Sequence, residues 1–303
     1  MKHFLKHLLQ RAGRVMIGEN LATRSFIGEV PVYPDPRAGA SVKISMAAMA
    51  LELQGRALAG MPLPRLMDSG FRVFSQFEED GLLAYLAAVL ELSPKIFIDI
   101  GAADGISSNC ANLALNLGWH GLFIDGNHAA IERGRAFYHS HPDTSLFPPL
   151  LKQAFITAEN INQLIKDAGF VGDVGCVSID LDGNDCWVWN ALQIVSPAVV
   201  VIESHIEFGA ENIAVPYDPA FVHSENHPDY FGASAPAMVS LGRKKGYRLV
   251  GANRFGFNLL FVREDIFPDR VPAVSVDSVL THSRHRERLS LGASVRDMPF
   301  VSL

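Results

Sequence analysis

From residue 75 to residue 264 the chain alternates short apolar runs with stretches whose apolar residues recur every three or four positions. The first pattern reads as buried parallel strand and the second as amphipathic helix. Ser75, followed by Glu78 three residues later, has the spacing of a capping box, so a helix is expected from there to a stop at Pro94. The run 95–105 (KIFIDIGAADG) reads as a strand feeding a tight turn, and 121–127 (GLFIDGN) repeats that shape. A weak third strand is expected within 146–157, a fourth in 174–185 (VGCVSIDLDGND) and a fifth in 197–204 (PAVVVIES). Helices are expected between them, up to about Leu117, over 128–138, over 158–169 and after Asp185, with one more over 231–246. Residues 247–264 then read as two strands joined at Asn253–Gly256, an antiparallel hairpin. Alternating units of this kind imply an α/β fold with a mostly parallel sheet and helices on both faces.

The first 73 residues differ. Two helical stretches, near Lys2–Val15 and Val42–Leu58, flank a loop with Pro31, Pro34 and Pro36, and Pro62 and Pro64 close the segment. This is read as a helical N-terminal extension (1–73) before a main domain (74–264) and a C-terminal polar segment (265–303). The basic, amphipathic start is expected to pack on the domain or to join copies of the chain into a homo-oligomer. Association with a membrane surface is the alternative.

Composition narrows the classes. With 303 residues, 49% of them hydrophobic, the chain can bury a full core. A net charge of −6 with no basic stripe gives no footprint for nucleic acid. No apolar run reaches the roughly 18 residues needed to span a bilayer. Cys110, Cys176 and Cys186 lack CxxC spacing, which speaks against a disulfide framework or a structural zinc site and makes a reducing, cytoplasmic setting the expectation.

Candidate chemistry gathers at strand ends. Asp99, Gly101, Ala103 and Gly105 follow the first strand, where ligands of open α/β sheets bind. Asp125 and Gly126 end the second strand, near the roughly 20-residue offset expected of an acid that holds a ribose. The glycine spacing is not GxGxxG, so a pyrophosphate is poorly served. A ligand without phosphate, such as S-adenosylmethionine (SAM), does not need that cradle, and Asp99 suits a cationic group. Asp180 and Asp182 end the fourth strand, and Glu203 and His205 the fifth. These four are expected to converge, holding Mg2+ or another divalent cation or supplying a general base. Gln76, Glu79 and Asp80 lie at the start of the first domain helix, and Gln76 is assigned to the cofactor site.

The segments SQFEEDG, FIDIGAADGISSN, GLFIDGN, ITAENIN, SIDLDGNDCWVW, VVVIES and YFGAS resemble the FkbM-type and related class I SAM-dependent methyltransferases. The resemblance implies a Rossmann-like seven-stranded sheet ending in an antiparallel hairpin. It places Asp99, Gly101 and Gly105 at the methionine end of SAM, Asp125 at its ribose, and Asp180 and Asp182 facing the acceptor. That pattern often has glycine where this chain has Ala103. The expected activity is O-methylation of a sugar, glycan or other polar metabolite, with Asp182 or His205 as base and Asp180 beside them. A non-catalytic interaction protein of the same fold and an NAD-dependent oxidoreductase are the alternatives.

Overall fold

The computed structural model describes residues 36–223, 227–282, 289 and 292–303. The expected helix near Lys2–Val15 and the loop prolines Pro31 and Pro34 lie outside the described residues. The sheet has seven strands: β1 (Ile96–Ile100), β2 (His120–Asp125), β3 (Leu150–Gln153), β4 (Gly172–Ile179), β5 (Val195–Glu203), β6 (Tyr247–Ala252) and β7 (Asn258–Arg263). Their order is β3-β2-β1-β4-β5-β7-β6. Strands β1 to β5 pair in parallel, while β7 runs antiparallel between β5 and β6. This is the seven-stranded α/β sheet with a terminal hairpin that the hydrophobic pattern predicts.

Alternation along each strand divides the core between the two faces of the sheet. Phe97, Phe123, Val199 and Leu260 pack with Leu82, Leu86 and Tyr138 on one face. Ile98, Ile124, Val200 and Phe261 pack with Trp189, Met238 and Ile165 on the other. Both faces of β1, of β5 and of β4 from Val174 onward are covered, which is why few polar residues interrupt them.

Helix α1 (Pro36–Leu58) starts before the expected Val42 and buries Met46 and Leu53. It leaves Ile44, Leu51 and Leu58 exposed at seven-residue spacing. Helix α2 (Glu79–Val89) starts later than the capping box implies, and Glu78 at its N-cap makes no side-chain capping bond. Instead Oδ2 of Asp80 accepts hydrogen bonds from the backbone N–H groups of Val73, Phe74 and Ser75, holding 73–75 as a loop. Ser75 Oγ reaches past the expected helix start to accept from Asp80 N at 3.2 Å. The helix after β1 is short, Ala111–Leu115, because the turn continues through Cys110. Arg248 on β6 fastens the start of the C-terminal segment through the carbonyls of Arg263, Ile266 and Val271. Val271, Val279 and Val295 of that segment are buried, and Val301 bridges to Ala214. Among the described residues no helix is long and apolar enough to cross a membrane.

Candidate functional site

The parallel strands end on one edge of the sheet, and the chain's direction across the sheet reverses between β1 and β4. Crevices at such a switch point are the usual ligand sites of open α/β sheets. The turn after β1 is pinned there by its own backbone: the N–H groups of Gly101 and Ala102 donate to the Ile124 carbonyl at 2.8 and 3.1 Å. The Asp125 carboxylate completes the tie, accepting from Ala103 N and from Asn127 N, both at 2.7 Å.

Gly101, Ala103 and Gly105 all have positive φ, at 84°, 50° and 69°. This is the conformation for which glycine is favoured, and Ala103 adopts it with a side chain. A Cβ on Gly101 would overlap the Asp180 carbonyl oxygen. A Cβ on Gly105 would meet the Phe123 ring at 2.9 Å. The space a side chain would need at Gly101 and Gly105 is taken by the protein's own atoms. The two glycines let β1, β4 and the Phe123 ring close up, and the close packing in turn fixes the rim of the crevice.

Two cavities meet at Gly101. One, of about 260 Å³, is lined by Gln76, Asp99, Ala103, Asp180, Asp182, Glu203, Phe257 and Asn258 among others. The second, of about 170 Å³, is lined by Asp125, Gly126, Phe155, Leu181, Asn184 and Phe221 along with Gly101. The first is acidic; the second has a carboxylate at one side and apolar walls. A larger, mostly apolar cavity of about 780 Å³ lies between 57–67 and 269–279 and shares no residue with either.

Asp180, Asp182 and Glu203 come together, each with a carboxylate oxygen within 4.8 Å of the others'. Burial is the main cause holding Asp180 well above the usual carboxylate range, and the charges of Asp185, Asp182, Asp99 and Glu79 add to it. Glu203 is raised for the same reasons, burial first and then Asp180, Asp185 and Asp182. Asp99 is pushed up to about 6 by burial, against hydrogen bonds from Ser108, Cys110 and Ser178 that favour its charged form. Four carboxylates on one cavity wall thus form a region of strong negative potential that favours protons or cations.

His205 does not join them. The strand β5 ends at Glu203, and the chain bends at Ser204, whose N–H donates to the Phe257 carbonyl at 2.7 Å. The two-residue alternation that would align His205 with Glu203 therefore stops two residues short of it. The His205 ring sits between Phe208 and Phe231, its Nδ1 3.4 Å from a Glu207 oxygen and its Nε2 3.2 Å from the Asp229 carbonyl. The expected roles of His205 as base or metal ligand find no geometric support.

Gln76 lines the acidic cavity as expected, while Asp80 and Glu79 are turned away into the protein. Glu79 Oε1 accepts from the side-chain amides of both Asn253 and Asn258 at 2.9 Å. Asn258, Phe257, Ser108 and Asn109 line the cavity without having been singled out in the sequence. The signal for Asn258 was present: it opens the strand antiparallel to β5, and the first residue of such a strand lies at the same edge as the last residue of its parallel neighbours. In register it stands opposite Glu203. Trp189 is core, packed on Tyr247 and Phe261, and Trp187 donates from its indole nitrogen to the Val215 carbonyl at 3.0 Å.

No family model and no curated protein matches the chain. Among solved structures it is similar to the N-terminal domain of EvdMO1 with SAH bound, at 13% identity over 70% of this chain and 95% of that one, with a TM-score of 0.42. It is also similar to the methyltransferase domain of the bacterial CtHen1-C, at 13% identity over 61% and 96%, with a TM-score of 0.39. A third is the O-methyltransferase from Bacillus cereus in complex with SAH, at 15% identity over 65% and 79%, with a TM-score of 0.35. Likeness at this level carries no argument about chemistry, which rests on the side chains.

Proposed function

We propose that the chain transfers a methyl group from SAM to an oxygen of a hydroxyl-bearing polar acceptor, in keeping with its sequence resemblance to FkbM-type enzymes. The observation that carries this reading is the meeting of the two cavities at Gly101. One presents Asp125 and apolar walls suited to a nucleoside. The other presents a wall of carboxylates suited to a cationic group. Each Asp125 oxygen already accepts one backbone N–H, and a carboxylate has about four lone-pair sites, so two remain for ribose hydroxyls. Asp99 and the acids beyond it favour the positively charged end. When bound, SAM supplies a methyl group made electrophilic by a positively charged sulfur.

The residues of the chain then have separable tasks. Asp125 and Gly126 orient the nucleoside, and Gln76, Asp99 and the 101–105 turn the amino-acid end. Asp182, the exposed member of the acid cluster, is in contact with solvent and accepts the proton of the acceptor hydroxyl. Asp180 and Glu203 lie behind it and strengthen the pull on that proton through their negative potential. Proton removal by a positioned base contributes about 10²–10⁴-fold. Transfer of labelled methyl from SAM to a panel of sugars and phenols tests the reading. Asp182→Asn is expected to lower transfer by at least about 100-fold. Its affinity for S-adenosylhomocysteine (SAH) should stay near the wild-type value, because asparagine tolerates the φ of 50° found there. Transfer by the variant at the wild-type rate would remove Asp182 from the reaction.

A further inference from the structure

We infer that Asp182, Glu203, the side-chain oxygen of Asn258 and the ring of Phe257 form a subsite for an alkylammonium group, which makes the acceptor an amino sugar or another amino alcohol. As a statement about the acceptor this rests on the transferase reading; as a statement about a binding site it rests on the side chains alone. The carboxylates of Asp99, Asp180, Asp182 and Glu203 line the acidic cavity, and no lysine, arginine or histidine is among its lining residues. SAM carries one net positive charge, its own carboxylate cancelling a second. With Asp99 and the 101–105 turn given to the amino-acid end, the opposite end of the wall is left to a second cation.

The observation that tells an ammonium from a hydroxyl is Asn258. It is 4% exposed, it lines this cavity, and its Oδ1 has no hydrogen-bond partner. Buried polar atoms are rarely left so, and one beside a cavity calls for a donor from outside the chain. The orientation of the amide is fixed. Glu79 Oε1 accepts from Asn258 Nδ2 at 2.9 Å, and an ionised carboxylate has no proton to give an amide oxygen. Asn258 stands opposite Glu203 in the β5–β7 register, so this end of the wall gathers acceptors: the Asn258 oxygen and the carboxylates of Asp182 and Glu203. A hydroxyl brings one donor and two lone pairs, and the lone pairs would face these oxygens. An ammonium has three donors and no acceptor.

Spacing and packing agree. Carboxylate oxygens of Asp180, Asp182 and Glu203 lie within 4.8 Å of one another. Oxygens that accept at about 2.7–2.9 Å from one ammonium, along tetrahedral N–H directions, stand about 4.4–4.7 Å apart. The Phe257 ring lines the same cavity, and an aromatic face attracts a cation through its quadrupole. Neighbouring rings hold it in place: Phe77 packs edge-on to it at 5.3 Å between centroids, and Phe255 lies parallel to it at 6.2 Å. Glu79 ties the two segments together, since its Oε2 accepts from Phe77 N at 3.0 Å while its Oε1 accepts from Asn253 and Asn258. The subsite is thus built before any ligand arrives. In the transfer the ammonium keeps its protons and holds the acceptor. The neighbouring hydroxyl oxygen takes the methyl as the carbon–sulfur bond breaks, the sulfur keeps that electron pair, and the hydroxyl proton goes to Asp182.

Titration calorimetry on the full chain tests this, with and without SAH, in EDTA so that no metal ion takes the place of the amine. Glucosamine is compared with glucose, and ethanolamine with ethylene glycol, below the pKa of each amine. Each amine is expected to bind at least tenfold more tightly than its hydroxyl counterpart. Glu203→Gln should weaken glucosamine binding at least tenfold, and Phe257→Leu and Asn258→Ala severalfold. Asp167→Asn, an acid on a distant helix, should bind as the wild type does. Melting curves identify any variant that has lost its fold, and Phe257→Leu, which keeps an apolar side chain at a half-buried position, keeps the test usable if the others do not fold. Equal binding of amine and hydroxyl counterpart overturns the subsite, as does no binding of either amine. Amine binding unchanged in folded Phe257→Leu and Glu203→Gln overturns it too. The two readings fail separately: SAH binding without amine preference leaves the transferase and removes the subsite, and amine binding without SAH binding does the reverse.

Discussion

One oxygen of Asp80 holds three successive backbone N–H groups, those of Val73, Phe74 and Ser75, at the entrance to the domain. Its other oxygen is buried without a partner. Burial, the dominant cause, pushes this carboxyl up to about 6 despite those bonds. An aspartate in the unfolded chain titrates near 3.9. As pH falls through about 6 the folded state therefore takes up a proton that the unfolded state declines until about 4. Stability from this group is fully present below about 4 and is lost as pH rises through about 6. The gap corresponds to about 3 kcal/mol. Asp80→Asn keeps a carbonyl oxygen for the three N–H groups and removes the titration. Urea unfolding at pH 5 and pH 7.5 should show a smaller pH effect in the variant, by about 1.4 kcal/mol, since pH 5 lies about one unit below the folded value. Equal pH effects in the two proteins would mean that Asp80 titrates alike folded and unfolded.

At the scale of elements, the hairpin between β6 and β7 governs the site more than any single parallel strand. Asn253, fully buried, accepts with Oδ1 from the N–H groups of Gly256, Phe257 and Asn258 and donates with Nδ2 to Glu79. One side chain thus shapes the turn and ties it to helix α2. Asn253→Ala should cost about 2–4 kcal/mol, from several lost bonds and a Glu79 oxygen left with one partner fewer. The measurement is the urea midpoint, and a change below about 0.5 kcal/mol would show the turn to be held by other contacts. The same hairpin marks where the sequence was legible and where it was not. Apolar runs placed the strands, most plainly β1 and β5, where burial on both faces leaves few polar positions, and least plainly the edge strand β3, where Leu150 and Gln153 are exposed. Strand-end acids placed Asp99, Asp125, Asp180, Asp182 and Glu203 at one edge, because parallel strands end together. His205 was misplaced because alternation holds only while a strand continues, and nothing in the local pattern shows β5 stopping at Glu203. Ser75 and Glu78 misled because Asp80, five residues beyond the supposed cap, competes for the same backbone. The packing role of the glycines was not legible, because the contact that requires Gly101 comes from residue 180, far along the chain.

Across the whole molecule, the sheet brings Asp99, Asp125, Asp180, Asp182 and Glu203 to one edge and one switch point. Strands β1 and β4 supply Asp99, Asp180 and Asp182, β2 supplies Asp125, and the antiparallel β7 returns Asn258 to the edge where β5 ends. A two-halved dinucleotide fold would carry the order 3-2-1-4-5-6. The antiparallel β7 inserted between β5 and β6, together with the Gly101–Gly105 spacing, argues against the NAD-dependent alternative. The central claim is therefore that the joined cavities hold a nucleoside bearing a cationic amino-acid arm, and not a dinucleotide. Titration calorimetry with SAH and with NAD on the full chain tests it most directly. The account predicts one SAH bound per chain, no heat from NAD at the same concentrations, and SAH binding weakened about ten- to hundredfold by Asp125→Ala, the scale of charged hydrogen bonds of about 1.5–3 kcal/mol. Binding of NAD, or no binding of SAH to the folded chain, would contradict it.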